Sequence, residues 1–463
     1  LTMTTMRTKT MRLARIIPVV ATLFASACKD LVVPDFNNTS LDDLVANPTP
    51  TKVAQASQGL MLGTRVGIGA QNGYVSLLGI LGRESYNFDA ADPRFITEMV
   101  IGPLDGGSPA FGGNLFAAPY RNIRNANLVL GAVAGVVGMS PEQKSAVTGF
   151  AKTIQALDYL HVINTRDDLG APLDVNIDPI AAPAPIATKA EVFAYISLLL
   201  DQGLTDLQAG GTAFPFSLSP GFAGFNTPAT FARFNRALKA RVEAYRGNYA
   251  AALTAVNGSF IDPAAPLTLG AYHSYSTGSG DTQNALLDPT GRAIVANPSV
   301  VTDAQLKPDG TRDNRVLQKV AQLAAPRVVQ GITTDYIFSI YNSNVTPIPI
   351  IRNEELILLR AEARYFTGVQ VGALNDINFI RTNSGGLAAR GPFLSADDFT
   401  TELLRQRRYS LLFEGGHRWI DARRFGRLAT LPNVLPEHTI MSRFPFPEAE
   451  CLARVPAPTQ GCT

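Results

Sequence analysis

Two stretches of the chain repeat one another, and the repeat fixes much of what the chain can fold into. Arg241-Val-Glu-Ala-Tyr-Arg-Gly247, followed by Ala252-Leu253, has a counterpart in Arg360-Ala-Glu-Ala-Arg-Tyr-Phe-Thr-Gly368, followed by Ala373-Leu374. Each reads Arg-x-Glu-Ala, a glycine turn and then Ala-Leu. Small residues inside paired helices let their backbones approach, and the glycine supplies the tight reversal between them. The expected unit is therefore an antiparallel pair of helices.

Start signals extend this reading along the chain. Ser140-Pro-Glu-Gln143 and Thr188-Lys-Ala-Glu191 are capping boxes, and Thr227-Pro228 and Ser395-Ala-Asp-Asp398 follow the same pattern. They predict helices at 50–63, 119–134, 141–165, 189–208, 228–246, 248–257, 353–367, 370–382 and 396–414. Strand-like alternation is scarce, with Arg327–Val329 and Ile348–Ile351 as the candidates. Residues 64–118, 166–187, 209–226 and 259–350 are rich in Gly, Pro, Asn and Ser and are expected to be loops. The predicted fold class is mostly α, built of tetratricopeptide-like helical hairpins with long irregular loops and few short strands.

At the N-terminus Arg7, Lys9, Arg12 and Arg15 precede the apolar run Ile16–Phe24 and the sequence Ala25-Ser-Ala-Cys28. The run is far shorter than the ~20 residues of a spanning helix, and small residues before a cysteine suit a lipoprotein signal peptide. Residues 1–27 are thus expected to be removed and Cys28 to be lipidated, leaving 28–463 as one domain. Removing 1–27 takes away four basic and no acidic side chains, which leaves 36 Lys and Arg against 38 Asp and Glu. The remainder is mildly acidic, with no basic patch interleaved with aromatics, so nucleic acid is not an expected partner. Cys451 and Cys462 lie in a Pro-rich tail without nearby histidine, which favours a disulfide over a metal site.

Catalytic and cofactor motifs are missing from the sequence: there is no Gly-x-Ser-x-Gly, no phosphate-binding loop and no His-Glu-x-x-His. Asp158/His161 and Glu414/His417 both place a carboxylate and an imidazole three apart, the spacing of di-iron bundles, but Gly415-Gly416 should break the second helix. Asp174-Val-Asn-Ile-Asp178 opens like a calcium loop, yet Pro179 and Pro185 occupy its turn and bidentate positions. No metal and no cofactor is therefore expected. Paired carboxylates for glycoside hydrolysis carry no sequence signature, which leaves a hydrolase as a third reading behind two binding functions.

Five segments, in order, resemble the SusD/RagB family: Tyr120-Arg-Asn-Ile-Arg-Asn-Ala-Asn127, Gln155–His161 leading to Leu169-Gly-Ala-Pro-Leu173, Asn353–Ala363, Phe413-Glu-Gly-Gly-His-Arg-Trp-Ile-Asp-Ala-Arg423, and Phe444-Pro-Phe-Pro447 with Glu450. Departures are Gln406 and Ser410, where the family commonly has glutamates, and the extra glycine in Gly415-Gly416. The resemblance implies a lipid-anchored outer-membrane protein that binds oligosaccharides or peptides and passes them to a SusC-like TonB-dependent transporter. The alternative is a helical-repeat surface lipoprotein that binds a protein partner. Lys29-Asp30 resembles a short surface-export signal.

Ligand residues are not shared across that family, so candidates come from loop chemistry. Arg83, Tyr86 and Asn87 combine a fork-like donor, a ring and an amide, and Tyr272 and Tyr275 sit in a Gly/Ser-rich stretch. Tyr336 and Tyr341 are weaker candidates because 335–341 reads as a buried strand. Trp419, the single tryptophan, is expected to plug the core rather than stack on a sugar.

Overall fold

The computed structural model describes residues 41–107, 111–175 and 181–462. The expected signal peptide, Cys28, Lys29-Asp30 and part of the Asp174–Asp178 stretch lie outside the described residues.

The helices of eight or more residues are α1 (Pro50–Thr64), α2 (Tyr74–Leu81), α3 (Asn114–Val133), α4 (Pro141–Arg166), α5 (Lys189–Gln208) and α6 (Pro228–Tyr245). They continue as α7 (Tyr249–Asn257), α8 (Asn353–Phe366), α9 (Gln370–Asn383), α10 (Ala396–Ser410) and α11 (His417–Arg424). Each capping signal does what its chemistry requires. Ser140 Oγ accepts from the Gln143 N–H at 3.2 Å, and the Ser140 N–H donates to Gln143 Oε1 at 3.0 Å. Thr188 and Glu191 exchange the same pair of bonds, and Ser395 Oγ accepts from Asp398 N at 3.1 Å.

Consecutive helices pack as neighbours: α3 on α4, α4 on α5, α5 on α6, α6 on α7 and α8 on α9, with α7 meeting α8 across the long intervening segment. Where α4 crosses α5, Gly149 faces Gly203, and a Cβ on Gly149 would come within 2.7 Å of the Gly203 carbonyl oxygen. The repeat turns are equivalent: Asn248 N donates to Glu243 O at 2.9 Å, and Val369 N donates to Arg364 O at 2.7 Å. Apolar faces of these helices form one core that includes Val53, Phe150, Leu160, Phe231, Leu238 and Leu359.

The segments read as loops do more than decorate the scaffold. Residues 68–115, 275–348 and 409–444 contribute to a second hydrophobic core built around Leu77, Tyr86, Val295, Tyr341, Phe413 and Trp419. Short strands organise it. β1 (Ser85–Asn87) pairs antiparallel with β5 (Ile294–Ala296), and β6 (Val320–Val329) pairs with β7 (Ile332–Phe338). The second pair turns through Gln330-Gly331, both with positive φ, as a two-residue hairpin of the type I′ class requires. β2 (Ala171–Pro172) pairs with β3 (Ile186–Ala187), and β4 (Gly270–His273) with β8 (Ile348–Arg352). The fold is mostly helical, as expected, but 64–118 and 259–350 form packed structure instead of loose insertions. Leu41–Thr463 is one compact unit.

Candidate functional site

The Asn353–Ala363 and Phe413–Arg423 segments meet in the interior. Arg352, at the end of β8, donates from Nε to Glu414 Oε2 at 2.8 Å and also pairs with Glu354, while Lys319 Nζ reaches Glu414 Oε1 at 2.8 Å. Burial alone would raise the Glu354 carboxyl, but Arg352 and Lys319 bring it down to about 2. Arg241 clamps Glu355 in the same manner at 2.7 Å. Gln406 and Ser410 sustain this network: Arg315 donates to both, Gln406 donates to Glu402, and Ser410 Oγ donates to Glu354 Oε1 at 2.6 Å. Gln406 and Ser410 thus keep the cluster connected through hydrogen bonds.

Gly415-Gly416 does separate α10 from α11. Gly416 is left-handed at φ 70°, and a Cβ there would lie 2.3 Å from Leu78 Cβ, so this crossing of α2 admits only glycine. Trp419, one turn on, is fully buried, donates from Nε1 to Met441 O at 2.8 Å and carries the Arg423 guanidinium 4.5 Å from its ring.

Among the loop residues singled out for ligand contact, Arg83 and Tyr86 are fully buried and Asn87 is 1% exposed. Arg83 caps backbone carbonyls of Ile80, Val100 and Thr439, and burial pulls its guanidinium down to about 10. Tyr86 lies in β1, accepts from Asn297 Nδ2 at 2.8 Å and stacks on Phe88. Asn87 Oδ1 accepts from Asp89 N at 2.9 Å. A ligand could reach these three only by displacing packed groups. Tyr275 is 8% exposed beneath Arg65, Tyr272 is half-buried and bonded to Thr268 O, and Tyr341 is buried with its hydroxyl on Phe413 O. Tyr336 is half-buried in β7. Cys451 and Cys462 form a disulfide, and the segment between them folds against Phe446 and Leu169.

Of the two carboxylate–imidazole pairs, His161 of the first meets both members of the second. His161, His273, His417 and Glu414 line one small cavity of about 30 Å³ together with Arg241 and Tyr245. Burial holds His161 and His273 down at about 3 and His417 at about 4, so they are neutral at physiological pH. No group of three or more His, Cys, Asp or Glu among the described residues has an arrangement that could hold a metal ion.

Asp158 accepts from Thr64 Oγ1 and Asn122 Nδ2 at 2.6 and 2.7 Å, and burial pushes its carboxyl up to about 7. The folded state then keeps a proton that the unfolded chain releases above 3.8, so this group's contribution to stability falls as pH rises toward 7 and is lost above it. The depressed histidines act in the opposite sense below their ordinary value of 6.5. Comparison of urea unfolding of the wild type and Asp158→Asn across pH 5 to 8 separates the two effects: the variant is expected to gain stability relative to wild type as pH rises. An unchanged difference would show Asp158 ionised in the folded protein.

The site that combines space with chemistry lies between α10 and α11. A cleft of about 400 Å³ is lined by Arg405, Arg408, Tyr409, Arg418, Asp421 and Arg427, with Asp303 at its edge and Leu404, Ala422 and Leu431 on its apolar side. That volume suits a small ligand. Asp421 is already engaged by Arg407 Nε at 2.6 Å and Arg424 Nε at 2.8 Å. Arg408 bonds Asp303 and Ser299, both at 2.9 Å. Arg418 Nη1 donates to a neutral acceptor, Arg83 O at 2.8 Å. Sequence reasoning missed these residues. The Arg405-Gln-Arg-Arg408 run was visible, but its convergence with Arg418 depends on how the chain reverses at Gly415-Gly416.

Fold and site define a class: stacked helical hairpins carrying a second, strand-braced lobe, with a polar cleft between the last two long helices. Residues 327–449 match the SusD family, and the chain has the SusD fold. A surface glycan-binding protein A of Bacteroides thetaiotaomicron, solved in complex with laminarihexaose, superposes with a TM-score of 0.66 at 13% identity over 90% of this chain and 99% of that one. A SusD superfamily protein of Bacteroides fragilis gives 0.64 at 18% identity over 89% and 99%. A SusD-like carbohydrate-binding protein from Bacteroides fragilis NCTC 9343 gives 0.64 at 14% over 81% and 86%. No curated protein matches the sequence.

Proposed function

We propose that this protein is a lipid-anchored outer-membrane protein that binds oligosaccharides and hands them to a SusC-like TonB-dependent transporter. The observation that carries the reading is the SusD-family segment at 327–449 set within a fold shared, over nearly the full length of both chains, with a protein that holds laminarihexaose. The Ala25-Ser-Ala-Cys28 sequence supports the anchor at Cys28, and no helix among the described residues is long and apolar enough to cross a membrane. Binding, not turnover, is the expected activity toward the sugar.

A glycan array run beside a peptide library tests the ligand class, and fractionation of the Cys28→Ser protein tests the anchor. Retention of oligosaccharides and loss of the variant from the membrane fraction are expected. Binding confined to peptides would redirect the proposal, and unchanged fractionation with unchanged lipid labelling would remove the anchor from it.

A further inference from the structure

We propose that the cleft between α10 and α11 binds a carboxylate-bearing sugar unit, so that the oligosaccharides this protein takes include uronates. The inference rests on the glycan-binding reading above and adds the charge of the ligand. Four guanidinium groups, of Arg405, Arg408, Arg418 and Arg427, line one cleft. Their counter-charges lie mainly to the side: Arg405 pairs with Glu402 at 3.0 Å, Arg427 pairs with Asp397, and Arg408 shares Asp303, which is half exposed.

Arg418 is different. Among the described residues no carboxylate lies within salt-bridge distance of it, and burial, followed by the like charge of Arg408, pulls it down to about 9. It is still a cation at neutral pH, beside a second cation, in a desolvated wall. The nearby buried carboxyl, Glu84, is itself pushed up to about 7 by burial and offers only partial neutralisation. Two donors buried in the cleft wall are also without a partner among the described residues. Tyr409, 1% exposed and lining the cleft, has a hydroxyl with no hydrogen-bond partner among the described residues, and Arg408 Nε has none either. An anion with two oxygens satisfies the guanidinium set, because planar guanidinium forks match a carboxylate.

The remaining wall favours a sugar as carrier of that charge. Leu404, Ala422 and Leu431 present an apolar side against which the C–H face of a pyranose can lie. Phe366 is the one exposed aromatic ring among the described residues, and it is stacked on Tyr249. Recognition through an open aromatic platform therefore has little to work with here, whereas recognition through charge has a formed cleft.

Calorimetric titration of the whole exported protein with tetragalacturonate, its uncharged methyl ester and tetraglutamate tests the assignment. The acid is expected to bind at least about ten-fold more tightly than the ester, because each charge-assisted hydrogen bond lost is worth about that factor. Arg418→Gln should erase the preference, and Arg405→Gln, at a cleft side chain 40% exposed, should weaken the acid several-fold with no change in melting temperature. Equal binding of acid and ester, or a preference that survives Arg418→Gln, would overturn the inference, as would no binding of either while neutral glycans are retained. Binding of tetraglutamate without either galacturonate would overturn the sugar assignment and the glycan reading together.

Discussion

Replacing Trp419 with alanine should cost about 3–5 kcal/mol of stability, the range for removing a large aromatic side chain from a packed interior. Trp419 has no exposed surface, supports Arg423 over its ring and meets Phe444 edge-on at 6.1 Å. The substitution also leaves the Met441 carbonyl without its indole donor. Urea unfolding measures the loss. Binding by whatever fraction stays folded is expected to be unchanged, because the ring faces no open surface. A stable Trp419→Ala protein that has lost its ligand would make the tryptophan a recognition platform and contradict its placement.

A loss of similar size is expected from Arg352→Met. The variant keeps roughly the volume of the side chain but leaves Glu354 and Glu414, 4% and 5% exposed, with Lys319 as their main remaining cation. Breaking a buried pair from one side costs about 3–5 kcal/mol, since the stranded charge stays desolvated. The pH dependence should change sign as well. In the wild type Glu354 sits at about 2 against an ordinary 4.5, so its contribution is present above 4.5 and is lost as pH falls toward 2. Without Arg352, burial pushes the carboxyls upward and the variant regains stability as pH falls from neutrality. Unfolding curves at pH 7 and 5 decide it: a variant that weakens on acidification in step with the wild type would show that Lys319 alone compensates both carboxylates.

The helical half of the molecule was legible because its signals are local. Ser140 with Gln143 and Thr188 with Glu191 declare a helix start within four residues, and the observed helices begin there. α11 escaped notice because it opens on the left-handed Gly416 with no side-chain cap. The second lobe was illegible for a different reason. β1 and β5 are three residues each, too short for alternation to register, and what stabilises them is the partner strand. Arg83 and Tyr86 show the cost of reading composition without packing: ring, guanidinium and amide together look like a binding loop, yet Arg83 spends its donors on carbonyls and Tyr86 lies inside a sheet. The cleft was hidden because Arg408 and Arg418 stand on separate helices whose relative placement is set by the glycine turn between them.

The two cores differ in how far apart in the chain their members lie, and this bears on the order in which the protein can assemble. Helices α3 to α7 meet their neighbours soon after they are made, so that part can condense from contacts of short range. The other core closes between distant partners: Tyr86 bonds Asn297, 211 residues on, and Arg83 bonds Thr439, 356 residues on. Until the C-terminal segment arrives, Leu77, Leu78 and Ile80 of α2 have no Phe413 or Trp419 to cover them. A chain interrupted before Phe413 would therefore leave the apolar face of α2 uncovered beside the stacked helices, the form most exposed to aggregation and to proteolysis.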